Sequence, residues 1–157
     1  MLLIAPAFLF GQEEVHASEE ASHCYMIEKS WSIGLAAPYS FNIDGVGINT
    51  RLYYNVGHEL CFGPEFSYFK NDHKEIIDVD FVVHYIFEIP VLGVFPLAGL
   101  NYTWENFNNH NESALGIVVG GGLHRNFGKV SLFAEYAHVQ SKLSDDFVTL
   151  GLFYTLK

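Results

Sequence analysis

The chain has 157 residues; half are hydrophobic, 16% are aromatic, and the net charge is −10 with only eight Lys and Arg. That balance excludes nucleic acid as a partner, because phosphate binding needs cationic surface to replace counterions. No run of apolar residues is long enough for a transmembrane helix, which takes about 18 or more, and the size suits a single domain.

The first stretch, MLLIAPAFLFG, has the apolar core of a secretory signal. Val15-His16-Ala17 supplies small residues at the −3 and −1 positions of a cleavage site, so residues 1–17 are expected to be a signal peptide. Residues 18–29 (SEEASHCYMIEK) are polar and aperiodic and are expected to form a periplasmic lead-in. From residue 30 to 157 the pattern changes to strand, connection, strand.

Alternation lists one apolar face per strand, since a period of two sends successive side chains to opposite faces. The first strand gives Trp31, Ile33, Leu35, Ala37 and Tyr39; the second gives Val46, Ile48, Leu52 and Tyr54. The third gives Leu60, Phe62, Phe66 and Tyr68. The fourth, EIIDVDFVVHYIFEI, is apolar at every odd position from Ile77 to Ile89, while Asp78, Asp80, His84 and Glu88 share the other face. The fifth gives Val94, Ala98, Leu100, Tyr102 and Trp104, and the sixth Leu115, Ile117, Val119 and Leu123. The seventh gives Val130, Leu132, Ala134 and Tyr136, and the eighth Val148, Leu150, Leu152, Tyr154 and Leu156. Connections alternate between polar, longer ones (PYSFNID, KNDHK, NFNNHNES, QSKLSDD) and tight ones near Gly57, Pro90 and Gly128. Pro64 and Pro96 fall inside strands, where each removes a ladder donor, so bulges or strand ends are expected there.

The faces opposite the apolar ones carry Arg51, Glu65, Asp78, Asp80, His84, Glu88, His124 and Glu135, with many glycines. A soluble barrel would put its apolar face inside. Here the continuous face is apolar and the broken face is charged, which fits a polar interior within a lipid-facing belt. Acids outnumber the lone Arg, so some carboxylates are expected to be protonated, hydrated or paired with His. Amphipathic aromatics fall in two groups. Trp31, Tyr54, Tyr85 and Tyr154 lie near the short-turn end, and Tyr39, Tyr68, Tyr102, Trp104 and Tyr136 near the long-loop end. Membrane interfaces favour two such girdles.

On strand number, alternation, girdles, loop asymmetry and the terminal strand FVTLGLFYTLK, residues 30–157 resemble the small outer-membrane β-barrel family of the outer-membrane protein A and X type. The resemblance implies an all-β fold, an eight-stranded antiparallel up-and-down transmembrane β-barrel, in the outer membrane of a Gram-negative cell. It also implies outer-membrane lipid, lipopolysaccharide and the barrel-insertion machinery as partners. The expected role is structural or surface-interacting around a largely plugged interior. The alternatives are a narrow channel for small polar solutes and a lipid A deacylase.

The deacylase alternative rests on YAHVQS, where His138 lies in the lipid-facing phase and Ser141 three residues on. The family pattern has the pair two apart, on one face, where a His activates a Ser at hydrogen-bond distance. The run GIVVGGGLHRN is no nucleotide loop, because no helix follows it. No cofactor is expected, and no metal, since convergence of three or four ligands is required. Cys24 and Cys61 match no metal or redox spacing. If the lead-in folds under the barrel mouth they could form a disulfide in an exported chain.

Overall fold

The computed structural model describes residues 26–156. The expected signal peptide, most of the lead-in, and Cys24 lie outside the described residues. Among the described residues ten strands are present: β1 (Ser30–Ser40), β2 (Gly45–Val46), β3 (Ile48–Asn55), β4 (Leu60–Lys70), β5 (Lys74–Tyr85), β6 (Phe87–Ile89), β7 (Leu92–Phe107), β8 (His110–Phe127), β9 (Val130–Gln140) and β10 (Asp145–Leu156). All neighbours are antiparallel, and β1 pairs β10 from Trp31↔Leu156 to Ser40↔Phe147, closing the sheet on itself. The short β2 continues β3, and β6 continues β5, so the barrel has the eight expected staves.

Register fixes the barrel's shape. Following paired residues once around leads from Ser30 through Asn55, Cys61, His84, Leu97, Gly120, Ala137 and Phe147 to Ser40, ten residues further along β1. With eight staves, that stagger tilts the strands by about 40° and gives a backbone radius of about 8 Å. A tube that narrow is filled by its own side chains.

The prolines interrupt the ladder without shifting it. Opposite Gly63–Pro64 the β3–β4 ladder skips Leu52 and Tyr53, then resumes in register at Tyr54↔Phe62. Opposite Pro96 the pairing with β7 passes from His84↔Leu97 to Phe87↔Val94, which is the break between β5 and β6. On its other side the strand stays paired across the break: the Ile86 N–H donates to the Glu59 carbonyl at 2.7 Å, the next step of the β4–β5 ladder beyond Leu60↔Tyr85. Pro38 breaks the β1 pairing between β2 and β3 in the same way. The expected bulges or strand ends are therefore replaced by local ladder gaps. A missing N–H costs a hydrogen bond but adds no residue to the strand.

The expected long loops also need correction. NFNNHNES is mostly strand: β7 runs to Phe107, β8 starts at His110, and only Asn108 and Asn109 turn, both at positive φ (49° and 66°). Two residues in the left-handed region make the tight hairpin turn that asparagine favours. The remaining connections at this end span 41–44, 71–73 and 141–144. Polar residues continue the strands past the apolar belt, where both faces meet water, so a polar strand there has the composition of a loop.

Ile33, Leu35, Phe66, Phe81, Leu100, Ile117, Leu132 and Leu150, among many others, are exposed on the outer face around the whole circumference. No water-soluble surface tolerates a continuous apolar patch of that extent. Asn49, Arg51, Glu65, Asp78, His84, Asn101, His124 and Glu135 are buried inside. The barrel is an inverted protein, greasy outside and polar within, as a bilayer-spanning barrel must be.

Candidate functional site: the filled lumen and the loop end

The lumen is packed in layers. At the short-turn mouth Asn55 donates to the Ser30 and Ser32 hydroxyls, both at 2.9 Å, and Ser32 meets Thr155 at 3.2 Å. Met26, the first described residue of the lead-in, is buried in the cluster that holds Cys61 and Ile86. Its carbonyl lies 3.2 Å from His58 Nδ1, so this residue lies across the mouth. Cys61 is a free, fully buried thiol.

The middle layer is organised by Arg51 of β3. Its two terminal nitrogens donate to both oxygens of Glu135 on β9, at 2.8 and 2.9 Å. Its Nε donates to Asn49 Oδ1 at 2.7 Å and lies 3.1 Å from Glu65 of β4. The guanidinium stacks on the Phe133 ring, 4.6 Å from its centroid. Glu65 also accepts from the Tyr53 hydroxyl and from Asn49. Tyr53 in turn meets His84 Nε2 at 3.2 Å. Rings fill what remains: Tyr53 against Phe153, His84 stacked on Phe95 at 4.8 Å, and Phe133 stacked on Phe153 at 4.6 Å. Bidentate, charge-assisted pairing of this kind satisfies buried ions better than any single contact.

Above this layer Asn101 bridges the two acids of β5, donating to Asp78 at 3.2 Å and to Asp80 at 2.7 Å. Thr103 donates to Asp78 at 2.5 Å. Ser40 donates to Asp145, and Lys74 pairs with Glu105 at 2.9 Å, near the loop end. The void among Arg51, Glu65, Asp78, Asp80 and Glu135 measures about 20 Å³, room for a single water molecule.

Arg51, Glu65, Asp78, Asp80, His84 and Glu135 thus share one contiguous interior. His124 joins this interior from the short-turn end through Phe95, whose ring centroid lies 5.9 Å from its own and on which His84 stacks; Glu88 lies beyond it. Gly93 separates His124 from Glu88 in one cross-strand row, and His124 lies over that glycine, where a Cβ would come within 2.4 Å of the ring. Tyr53, Thr103, Lys74, Glu105 and Asp145 were not expected inside. Tyr53 had a signal: it continues the alternation of Asn49 and Arg51, but next to Tyr54 it reads as part of an aromatic girdle.

Glu65, His84 and Glu135 bring donor atoms within 4.8 Å of one another, a metal-like grouping among the described residues. Arg51 lies on both carboxylates and Tyr53 bridges Glu65 to His84, so the donor set is already committed to protein groups.

On the outer face, Trp31 contacts Tyr54 at 5.2 Å and Tyr85 contacts Phe87 at 4.9 Å, toward the short turns. Near the loop end, Tyr39, Tyr68 and Tyr136 donate to Asp44, Glu75 and Asp146 respectively. Ring on the barrel wall and hydroxyl on a carboxylate is how tyrosine bridges an apolar and a wet region. Tyr102 and Trp104 occupy outward positions of β7, and Tyr154 one of β10. His138 Nδ1 meets Asp146 at 2.9 Å, whereas the Ser141 hydroxyl accepts the Leu143 N–H at 3.0 Å within the turn. The two residues do not meet, because a spacing of three puts them on opposite faces.

Closed antiparallel staves, an apolar belt and a filled polar lumen define a small transmembrane β-barrel. Solved structures carry the same fold. The N-terminal β-barrel domain of Pseudomonas aeruginosa OprF matches with a TM-score of 0.72 at 14% identity, covering 82% of this chain and 98% of that one. The attachment invasion locus protein Ail of Yersinia pestis, in complex with the heparin analogue sucrose octasulfate, matches at 0.58 and 17%, covering 81% and 97%. A de novo designed barrel, TMB2.3, matches at 0.57 and 18%, covering 82% and 95%. No family model and no curated protein matches the sequence. A designed barrel among the matches illustrates that this fold carries no particular function by itself.

Proposed function

We propose that the chain is a non-enzymatic barrel of the Gram-negative outer membrane whose role is surface interaction through its loop end. The observation that carries this reading is the β7–β8 hairpin. It pairs continuously to Phe107↔His110, but β9 joins β8 only from Ile117↔Gln140. Residues 110–115 of β8 therefore have no strand partner on their β9 side. Lys142 reaches across only to Glu112, at 3.5 Å. An exposed strand edge offers unpaired N–H and C=O groups to an extended segment of another chain.

The filled lumen supports the same reading over a channel, and the separation of His138 from Ser141 supports it over a deacylase. The Yersinia protein's structure holds a heparin analogue. Here the loop end presents Asp44, Asp72, Glu75, Glu112 and Asp146 against Lys70 and Lys142, which disfavours a polysulfated ligand and favours a neutral or basic protein partner. The test replaces residues 105–112 by Asn-Gly, which shortens the hairpin within the β7–β8 ladder. Bacteria displaying the shortened barrel are expected to lose adhesion to epithelial monolayers while the barrel still folds. Equal adhesion would refute the proposal.

A further inference from the structure

On the outer face, where β7, β8 and β9 approach their short-turn ends, a groove of about 250 Å³ is lined by Leu92, Leu123, Leu132 and Ala134, with Arg125 beside them. Arg125 pairs across to Leu132, one outward row nearer the turn than Leu123↔Ala134. The small Ala134 between Leu132 and Tyr136 on the same face leaves the concavity. Arg125 is exposed, and its guanidinium lies 5.4 Å from the Phe127 ring centroid. No carboxylate pairs with it among the described residues. Lys129 sits in the adjoining β8–β9 turn. Of the acids at this end, Glu88 lies on the inward row of β6, while Glu28 and Glu59 flank the β3–β4 turn, which the strand order puts on the opposite side of the barrel. The short-turn rim is thus basic on one side and acidic on the other.

We propose that this groove binds one anionic phospholipid of the leaflet at the short-turn end. An acyl chain lies on Leu123, Leu132 and Ala134, and the phosphate takes the Arg125 guanidinium, whose planar fork matches two phosphate oxygens. Lys129 adds charge at the same rim, and the acid of this sector, Glu88 of β6, shares the inward row of Gly93 and His124 rather than the outer face. The belt is lipid-facing throughout, so an occupant of acyl chemistry meets the groove by default; the charge sets which lipid stays. A second barrel is disfavoured, because packing there would bury Arg125 without a counter-charge.

The test equilibrates the refolded barrel in detergent with phosphatidylglycerol and phosphatidylcholine of identical acyl chains, and counts retained lipid by native mass spectrometry. One phosphatidylglycerol is expected to be retained preferentially. Arg125→Gln should cut that preference about fivefold, the value of one basic residue near a membrane surface. Ala134→Leu, which fills the groove, should lower retention of both lipids. These side chains face lipid, so heat-modifiable gel mobility should match the wild type and report folding. If Arg125→Gln does not fold, Lys129→Gln reads the same charge effect. Equal retention of the two lipids by the wild type, a preference that survives Arg125→Gln, or retention of added lipid A in place of phosphatidylglycerol would overturn the proposal.

Discussion

Arg51→Met takes the guanidinium out of the middle of the lumen and leaves Glu135 and Glu65, with side chains 3% and 6% exposed, facing each other without their cation. Four contacts go at once: two to Glu135, one to Asn49 and the ion pair to Glu65. Methionine keeps the packing on Phe133, so the loss isolates charge rather than volume. Breaking a buried ion pair from one side costs about 3–5 kcal/mol, because the remaining charge stays desolvated. Against a total stability of about 5–15 kcal/mol that is a large fraction. Urea unfolding of the barrel from lipid vesicles, followed by the heat-modifiable gel shift, measures it as a lower midpoint. Adding Glu135→Gln to Arg51→Met should recover a substantial part, since it removes the orphaned charge. A loss below about 1 kcal/mol, the range of an exposed pair, or a double variant no more stable than Arg51→Met, would refute the account of the lumen.

Gly63→Ala and Gly99→Ala should destabilise strongly or block refolding, since an added Cβ would come within 1.9 Å of the Leu52 carbonyl and 2.2 Å of the Phe81 carbonyl. Gly57→Ala, with nothing within 4 Å, is the matched control, and all three are compared by refolding yield. In planar bilayers the wild type should show no steady single-channel conductance; a stable open level would contradict a filled lumen. His138→Ala and Ser141→Ala should leave lipid A acylation unchanged in expressing cells, and a deacylated species that disappears in either variant would restore the enzyme reading.

The barrel was legible because its pattern is extreme. In the stretch from Glu75 to Ile89, charges at even positions and apolar side chains at odd ones admit only a strand with a polar and an apolar face. The greater continuity of the apolar face says which way is out. What alternation cannot supply is partnership across strands. Arg51 and Glu135 are separated by 84 residues, and their pairing follows from the ten-residue stagger, which only closure of the sheet fixes. Tyr53 was hidden because tyrosine suits a girdle and a lumen equally. The hairpin above the belt was hidden because a strand wet on both faces loses its period of two in hydropathy, so Asn106 to Ser113 reads as loop. The prolines misled for a different reason. The sequence shows that a donor is missing, but not that the ladder resumes in register beyond it.

Membrane fractionation combined with heat-modifiable gel mobility tests the central claim most directly, namely that residues 30–156 form a closed, membrane-spanning barrel. A closed barrel is expected in the membrane fraction, migrating as a compact band when unheated in detergent and as a slower band after boiling. A soluble protein whose mobility is indifferent to heating would contradict it.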